Sequence, residues 1–311
     1  VIVKTSSIVE EYLQYLTGSR HRSPNTIESY QNDLRQYGEF LCHPSNNPFE
    51  TSGLSMLAGL DLSQRIVEAT PQTVRLFCEF LKSKFYAPAT VARKCAAVEG
   101  LYKYLQTLGH IQQNPFADFQ FVKPKTAGRV CLEESQIAKL LESIPADHWL
   151  CVRDKTVISL LYATGVKVGE LLRLTLMDYS ADEKTLSVHR PGGKTRKVSV
   201  GDWAAIQLGD YLQVRPLKSQ TCGIPTELLF LNRDCSPITV RSIRRKLKDY
   251  GKKAGLALNV TPEVLRRSHA VKMLRQGVGI EQLALQLGYL SVAALKQQLE
   301  LNEIQPTKDI N

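Results

Sequence analysis

The sequence predicts a mainly α protein carrying one small β-sheet. Three observations lead there. Apolar residues recur at spacings of three and four through most of the 311-residue chain. Only residues 186–190 and 196–200 alternate apolar and polar as half-buried strands do. A basic stretch bearing Gly and Pro, Lys123-Pro124-Lys125-Thr126-Ala127-Gly128-Arg129, separates a purely helical first part from a mixed second part. The expected division is residues 1–120, a linker at 121–131, and residues 132–311.

The elements follow in order. Ser23-Pro24-Asn25-Thr26 is a helix start with proline just inside, and Ile27, Tyr30, Leu34, Tyr37 and Leu41 continue at helical spacing. Residues 43–64 have no clear period and read as a long connection with room for one short helix. Thr70-Pro71 opens a helix through Val74, Phe77, Phe80 and Leu81. Pro88-Ala89-Thr90 opens another through Val91, Val98, Leu101, Tyr102 and Leu105, with Gly109 past its end and Asn114-Pro115 closing the unit. In the second part, 133–144 and 153–163 are helical. The two strands meet at a Pro191-Gly192-Gly193 turn. Helices follow at 203–214, 240–251, 262–276, 280–287 and 292–299. No internal repeat is evident.

Composition removes whole classes. With 43% hydrophobic and 23% charged residues the chain is neither disordered nor fibrous. No run approaches the roughly 18 apolar residues that cross a bilayer. The first residues lack the pattern of a secretory leader, and the numbering starts at valine rather than methionine. Seven scattered cysteines with no CxxC and no Cys/His cluster predict reduced thiols, no disulfide framework and no zinc, hence a cytoplasmic protein. The net charge of +10 favours a polyanion. Residues 241–275 hold eleven Lys/Arg against only Asp249 and Glu263. Ile243, Leu247 and Tyr250 make the apolar stripe of the first helix there, so its remaining surface is strongly basic. A DNA backbone would neutralise it with release of counterions. A membrane surface fits less well, because no long apolar face accompanies the charge.

Several segments together resemble the tyrosine recombinases and phage-type integrases, especially the bacterial Xer-like group, over almost the whole chain. In the first part these are Ser23-Pro24-Asn25-Thr26, Tyr30, Asp33-Leu34, Thr90-Val91-Ala92-Arg93 and the run from Leu101-Tyr102 to Asn114-Pro115. In the second they are Leu161 to Leu171, Gly192-Gly193-Lys194-Thr195-Arg196, Thr261 to Ser268, and Leu287-Gly288-Tyr289. The resemblance implies an N-terminal helical core-binding, SAM-like domain and a C-terminal α+β domain of the catalytic type. It also implies duplex DNA as partner, no metal or cofactor, and exchange of the C-terminal helix, residues 292–299, between protomers of a homo-oligomer.

In that family two arginines and a histidine or tryptophan hold the scissile phosphate. A lysine protonates the leaving hydroxyl, a histidine assists, and a tyrosine attacks phosphorus. This chain has Lys167 at the first arginine, Lys194 at the lysine, Glu263 at the histidine and Arg266 at the second arginine. It has Tyr289 at the third box and Gln298 at or near the nucleophile. Lys167 lacks the planar fork of arginine. An amide cannot replace a phenolate. A carboxylate at 263 repels phosphate and, three residues before Arg266, is placed to draw that arginine away from DNA. Thr261-Pro262-Glu263 also suits a helix start, and Tyr289, His269 and Gln298 have plain readings as core, helix-face and surface residues. The expectation is therefore a DNA-binding member of the family without enzymatic activity, serving as a transcriptional regulator, a DNA-architectural protein or a recombination accessory factor, and nucleoid-associated. The alternative is an active recombinase with a non-standard or partner-supplied nucleophile. The residues assigned to DNA are Arg93, Lys94, Lys167, Lys194, Arg196, Arg241, Arg244, Arg245, Lys248, Arg266 and Arg267.

Overall fold

The computed structural model describes residues 7–20, 24–42, 60–117, 119, 130–189, 195–222 and 227–299. The chain forms two compact units, Val1–Thr126 and Ala127–Asn311.

Helices alone build the first unit: α1 (Ser7–Gly18), α2 (Pro24–Cys42), α3 (Leu62–Val67), α4 (Pro71–Ser83) and α5 (Pro88–Thr107). The Thr70 hydroxyl accepts the Thr73 N–H at 3.3 Å, so α4 starts where the sequence puts it. Leu34, Tyr37 and Leu41 from α2 pack on Val74, Phe77 and Leu81 from α4 and on Val98, Leu101 and Tyr102 from α5, all buried. The Tyr37 and Tyr102 hydroxyls satisfy each other at 2.6 Å inside this core. Helix α1 is an element the sequence reading did not single out, although Val9, Tyr12 and Leu16 are buried at helical spacing.

The second unit contains α6 (Glu134–Glu142), α7 (Trp149–Thr164), the short α8 (Val168–Leu171) and a 3₁₀ turn at Leu176–Asp178. An antiparallel sheet of β1 (Tyr179–Ser180), β2 (Thr185–Val188) and β3 (Arg196–Ser199) follows in the order β1-β2-β3. Leu186 pairs with Val198 and Val188 with Arg196. Residues 190–194 of the hairpin, Lys194 included, lie outside the described residues. Next come α9 (Asp202–Cys222), longer than the sequence period indicated, then α10 (Val240–Lys253), α11 (Pro262–Arg275), α12 (Ile280–Leu287) and α13 (Val292–Leu299). Helix α7 is the hub: Val157, Leu160 and Leu161 are buried against Leu208 of α9 and Leu265 of α11. Each such side chain contributes roughly 1.5–3 kcal/mol by leaving water. Ala270, Leu283, Leu287 and Leu295 form a separate small core joining α11, α12 and α13.

The mainly α class with one small antiparallel sheet is as the sequence predicts. One expectation is corrected: Cys235 is disulfide-bonded, so the seven thiols are not all reduced. Sequence spacing could not show that the fold brings Cys235 to another sulfur. No described helix is long and apolar enough to cross a membrane.

Candidate nucleic-acid interface

Helix α10 is sorted by its geometry. At 100° per residue, Ile243, Leu247 and Tyr250 fall on one face and are buried. Arg241, Arg245, Lys248 and Lys252 fall within a narrow stripe on the opposite face and are exposed. None of these four side chains has an ion pair or hydrogen bond to a described residue. The helix is held in this rotation by Asp154 of α7, which is 1% exposed. The Tyr250 hydroxyl donates to Asp154 Oδ2 at 2.9 Å, the Lys246 ammonium lies 3.3 Å from the same oxygen, and Arg153 Nε donates to Oδ1 at 3.0 Å. This anchor went unread in the sequence because its carboxylate sits 96 residues from Tyr250.

The rest of the basic run is less free than its composition suggests. Arg244 binds Glu263 at 2.6 Å, Lys272 binds Glu134 at 2.8 Å and Arg275 binds Glu133 at 2.8 Å. Arg267 donates to the Val130 carbonyl at 2.7 Å. The fold thus imports Glu133 and Glu134, acids that lie outside the run in sequence.

A cleft of about 350 Å³ lies beside this helix, lined by Val166, Lys167, Val168, Pro262, Glu263, Arg266, Tyr289 and Gln298. Five of the six family positions read from the sequence therefore converge, delivered by four chain segments. Helix α7 ends on Gly165, whose φ of 61° is the left-handed conformation glycine favours, and the chain turns there into Lys167 and α8. The Thr261 hydroxyl caps α11 by accepting the Val264 N–H at 3.3 Å, which sets Pro262, Glu263 and Arg266 on its first turns. Gly288, with φ of 74°, ends α12 and delivers Tyr289. Gln298 comes from α13.

Within the cleft Lys167 is exposed and Arg266 is buried. The Arg266 guanidinium donates to the Leu287 carbonyl at 2.6 Å and to the Gly165 carbonyl. It lies 4.8 Å from the centre of the Tyr289 ring, and Nε reaches the Tyr289 hydroxyl at 3.5 Å. Arg266 is drawn inward by backbone carbonyls, not by Glu263 as its spacing suggested. Glu263 turns to Arg244 instead. Burial pushes the Glu263 carboxyl up, but backbone donation and Arg244 outweigh it, so the group stays below the usual carboxylate range and is ionised at neutral pH. Tyr289 and Gln298 are half-buried cleft residues, not simple core or surface.

The remaining assigned residues are held by internal partners. Lys94 is buried, with its ammonium 2.9 Å from Asp33, and Arg93 binds the same carboxylate. One acid on α2 thus claims both. Arg196 binds Glu170 at 2.6 Å and the Gln286 carbonyl at 2.8 Å. Burial raises the Glu170 carboxyl, yet Arg196 and the Lys167 backbone N–H bring it below its ordinary range, so this pair braces β3 against α8. The His189 ring bridges Asp178 at 2.6 Å and Thr195 at 2.8 Å across the base of the hairpin that carries Lys194.

Comparison with known proteins gives the class. Residues 131–302 match the phage integrase family, and residues 9–60 match its N-terminal SAM-like domain. The chain belongs to the phage integrase family of tyrosine recombinases. It is 31% identical to the tyrosine recombinase XerC of Roseiflexus castenholzii over 296 residues, covering 94% of this chain and 88% of that one. It is 27% identical to XerC of Bacillus subtilis over 289 residues, covering 93% and 90%. Among solved structures, XerA recombinase is 27% identical, covers 96% of this chain and 95% of its own, and has a TM-score of 0.51. The Tn1549 transposon integrase in complex with transposon right end DNA shares the fold at 17% identity, with a TM-score of 0.70 and coverage of 97% and 96%. These relatives correct one expectation. Several proteins named tyrosine recombinase, 25–31% identical over most of the chain, point to an active enzyme and overturn the reading of a chain without enzymatic activity. That reading rested on residue identity at single positions, Gln298 above all.

Proposed function

We propose that this protein acts on duplex DNA in site-specific recombination. The α10 stripe grips the backbone, and the cleft receives a backbone phosphate. The observation that carries this reading is the placement of the unpaired stripe Arg241, Arg245, Lys248, Lys252 next to the cleft, with Arg244 and Glu263 bonded across their boundary. Residues 1–120 and 132–311 act as separate domains on the duplex, joined through 121–131, in the cytoplasm at the nucleoid. Among the described residues Tyr289 is the tyrosine that lines the cleft. In this reading its oxygen attacks phosphorus, the 5′-oxygen leaves and takes up a proton, and a 3′-phosphotyrosyl bond forms.

A second reading is favoured by Gln298 at the family's nucleophile position. There the chain binds the site as a partner subunit, and the attacking hydroxyl comes from another subunit. One experiment separates the two. Purified protein is incubated with a nicked duplex that traps cleavage, then run on a denaturing gel. A covalent adduct that disappears in Tyr289→Phe supports the first reading, and an adduct that survives in that variant refutes it. Failure to retard duplex at low salt refutes both.

A further inference from the structure

The loop between α4 and α5 carries a side chain that the fold does not use. Phe85 is 96% exposed, and its φ is 57°, the left-handed region that a bulky residue rarely adopts. Burial does not account for the ring, and glycine or asparagine would fit this backbone with less strain.

The surroundings hold the ring out rather than leave it loose. The Phe85 N–H donates to the Lys82 carbonyl at 2.9 Å, closing the end of α4. On the other side the Tyr86 hydroxyl accepts from Gln36 Nε2 at 3.2 Å, and the Lys94 ammonium sits 5.1 Å from the centre of its ring. Ala87 starts α5 by accepting the Val91 N–H at 3.0 Å. Basic residues dominate the local charge. Residues 80–98 include Lys82, Lys84, Arg93 and Lys94 and no acid, with Glu79 and Glu99 at the margins. Asp33 reaches Arg93 and Lys94 but not the exposed Lys82 and Lys84 that flank the ring.

An exposed aromatic between two exposed lysines, with the Lys84 ammonium 5.3 Å from the centre of the Phe80 ring, suits a partner that is anionic outside and offers flat apolar faces within. A membrane would call for an extended apolar face, and beside Phe85 only Tyr86, 37% exposed and bonded to Gln36, adds to the apolar surface of this loop. Duplex DNA offers phosphates for the lysines and sugar or base faces for the ring. We infer that Phe85 is a DNA-contacting wedge, seated on a sugar or base at the groove while Lys82 and Lys84 hold the flanking phosphates. This rests on the DNA-binding reading above and adds to it a contact in the first unit.

The test uses the full chain and a mixed-sequence duplex. Phe85→Asn removes the ring, keeps a residue that tolerates the left-handed backbone, and avoids the added freedom of glycine. Affinity should fall about tenfold, within the range of one base–aromatic contact. The salt dependence should be unchanged, because no charge is lost, and the melting temperature should be equal or higher. Phe85→Trp should restore affinity, with its fluorescence quenched on DNA. Lys84→Ala should instead flatten the salt dependence. Wild-type affinity in Phe85→Asn, while the wild type itself binds duplex, overturns the wedge and leaves the DNA-binding reading standing. A wild type that binds no duplex overturns both.

Discussion

Neutralising the outer stripe of α10 is the sharpest probe of how this protein meets DNA. The structure selects which residues to change. Arg244 and Arg245 are adjacent in sequence but about 100° apart on the helix. Arg244 is spent on Glu263, whereas Arg245 belongs to the open stripe. Reversing Arg244 would set two carboxylates at bonding distance beside the cleft and confound the result. The cleaner variant is Arg241→Gln with Arg245→Gln and Lys248→Gln. From Arg241 to Lys252 the stripe spans about 16 Å at 1.5 Å per residue, enough for several phosphates of one strand. Each lost contact removes about 0.9 from the slope of log K against log salt, so three remove about 2.7. Between 50 and 200 mM salt that is roughly 1.6 decades of sensitivity. Fluorescence anisotropy on a mixed-sequence duplex measures the slope directly. The fold should be unaffected, since exposed substitutions stay within about 0.5 kcal/mol. A variant with the parent slope refutes α10 as the contact surface.

Three further outcomes follow from the second unit. Glu263→Gln should raise affinity for DNA and steepen the salt slope by about one contact, because it removes a half-exposed negative charge from the cleft and frees Arg244; anisotropy titration checks this, and weaker binding contradicts it. Burial, despite a bond to the Tyr162 carbonyl, lowers the His269 pKa from 6.5 to about 4, so below pH 6.5 the unfolded chain binds a proton that the native state does not. Stability is therefore full above pH 6.5 and falls by up to about 3 kcal/mol towards pH 4; urea titrations of His269→Gln should lose the slope between pH 6.5 and 5, where carboxylates contribute little, and a slope that persists there rejects the assignment. Gly165→Ala would place a Cβ 2.5 Å from Leu287 Cδ2 and 2.6 Å from His269 Cδ2 at a φ of 61°, which should cost about 2–5 kcal/mol and lower the melting temperature by at least about 5 °C; an unchanged temperature would mean the cleft floor is softer than its packing implies.

What the sequence reveals here is periodicity and punctuation. The helix at Pro71 is legible because Thr70 caps it and Val74, Phe77 and Leu81 repeat, and α11 because Thr261 and Pro262 open it. The two paired strands are legible from alternation. Helix α1 escaped although its buried positions keep the same period, because no proline or glycine marks its start. The basic character of α10 is legible, but its free residues are not. That distinction depends on Asp154, Glu133 and Glu134, which reach the basic run from other helices. Lys94 was equally opaque, since only the packing of α5 on α2 shows that Asp33 buries it.

Reading single residues misjudged activity, whereas the positions read from spacing share one cleft. Spacing located Lys167, Glu263, Arg266, Tyr289 and Gln298, and the fold brings all five to one cavity because the turns at Gly165 and Gly288 and the cap at Thr261 are intact. Spacing also suggested that Glu263 neutralises Arg266. The structure divides those roles: Glu263 faces Arg244 at the rim, while Arg266 binds two carbonyls and stacks on Tyr289. An arginine held this way is costly to move, because withdrawing it would leave two buried carbonyls unpaired. Its charge stays in place, against the Tyr289 ring and hydroxyl. Lys167 is the exposed cation among the residues that line the cleft. The cleft thus combines a buried, fixed arginine, an exposed lysine and a phenol, and the carboxylate at its rim is answered by Arg244 from the same helix that carries the exposed basic stripe.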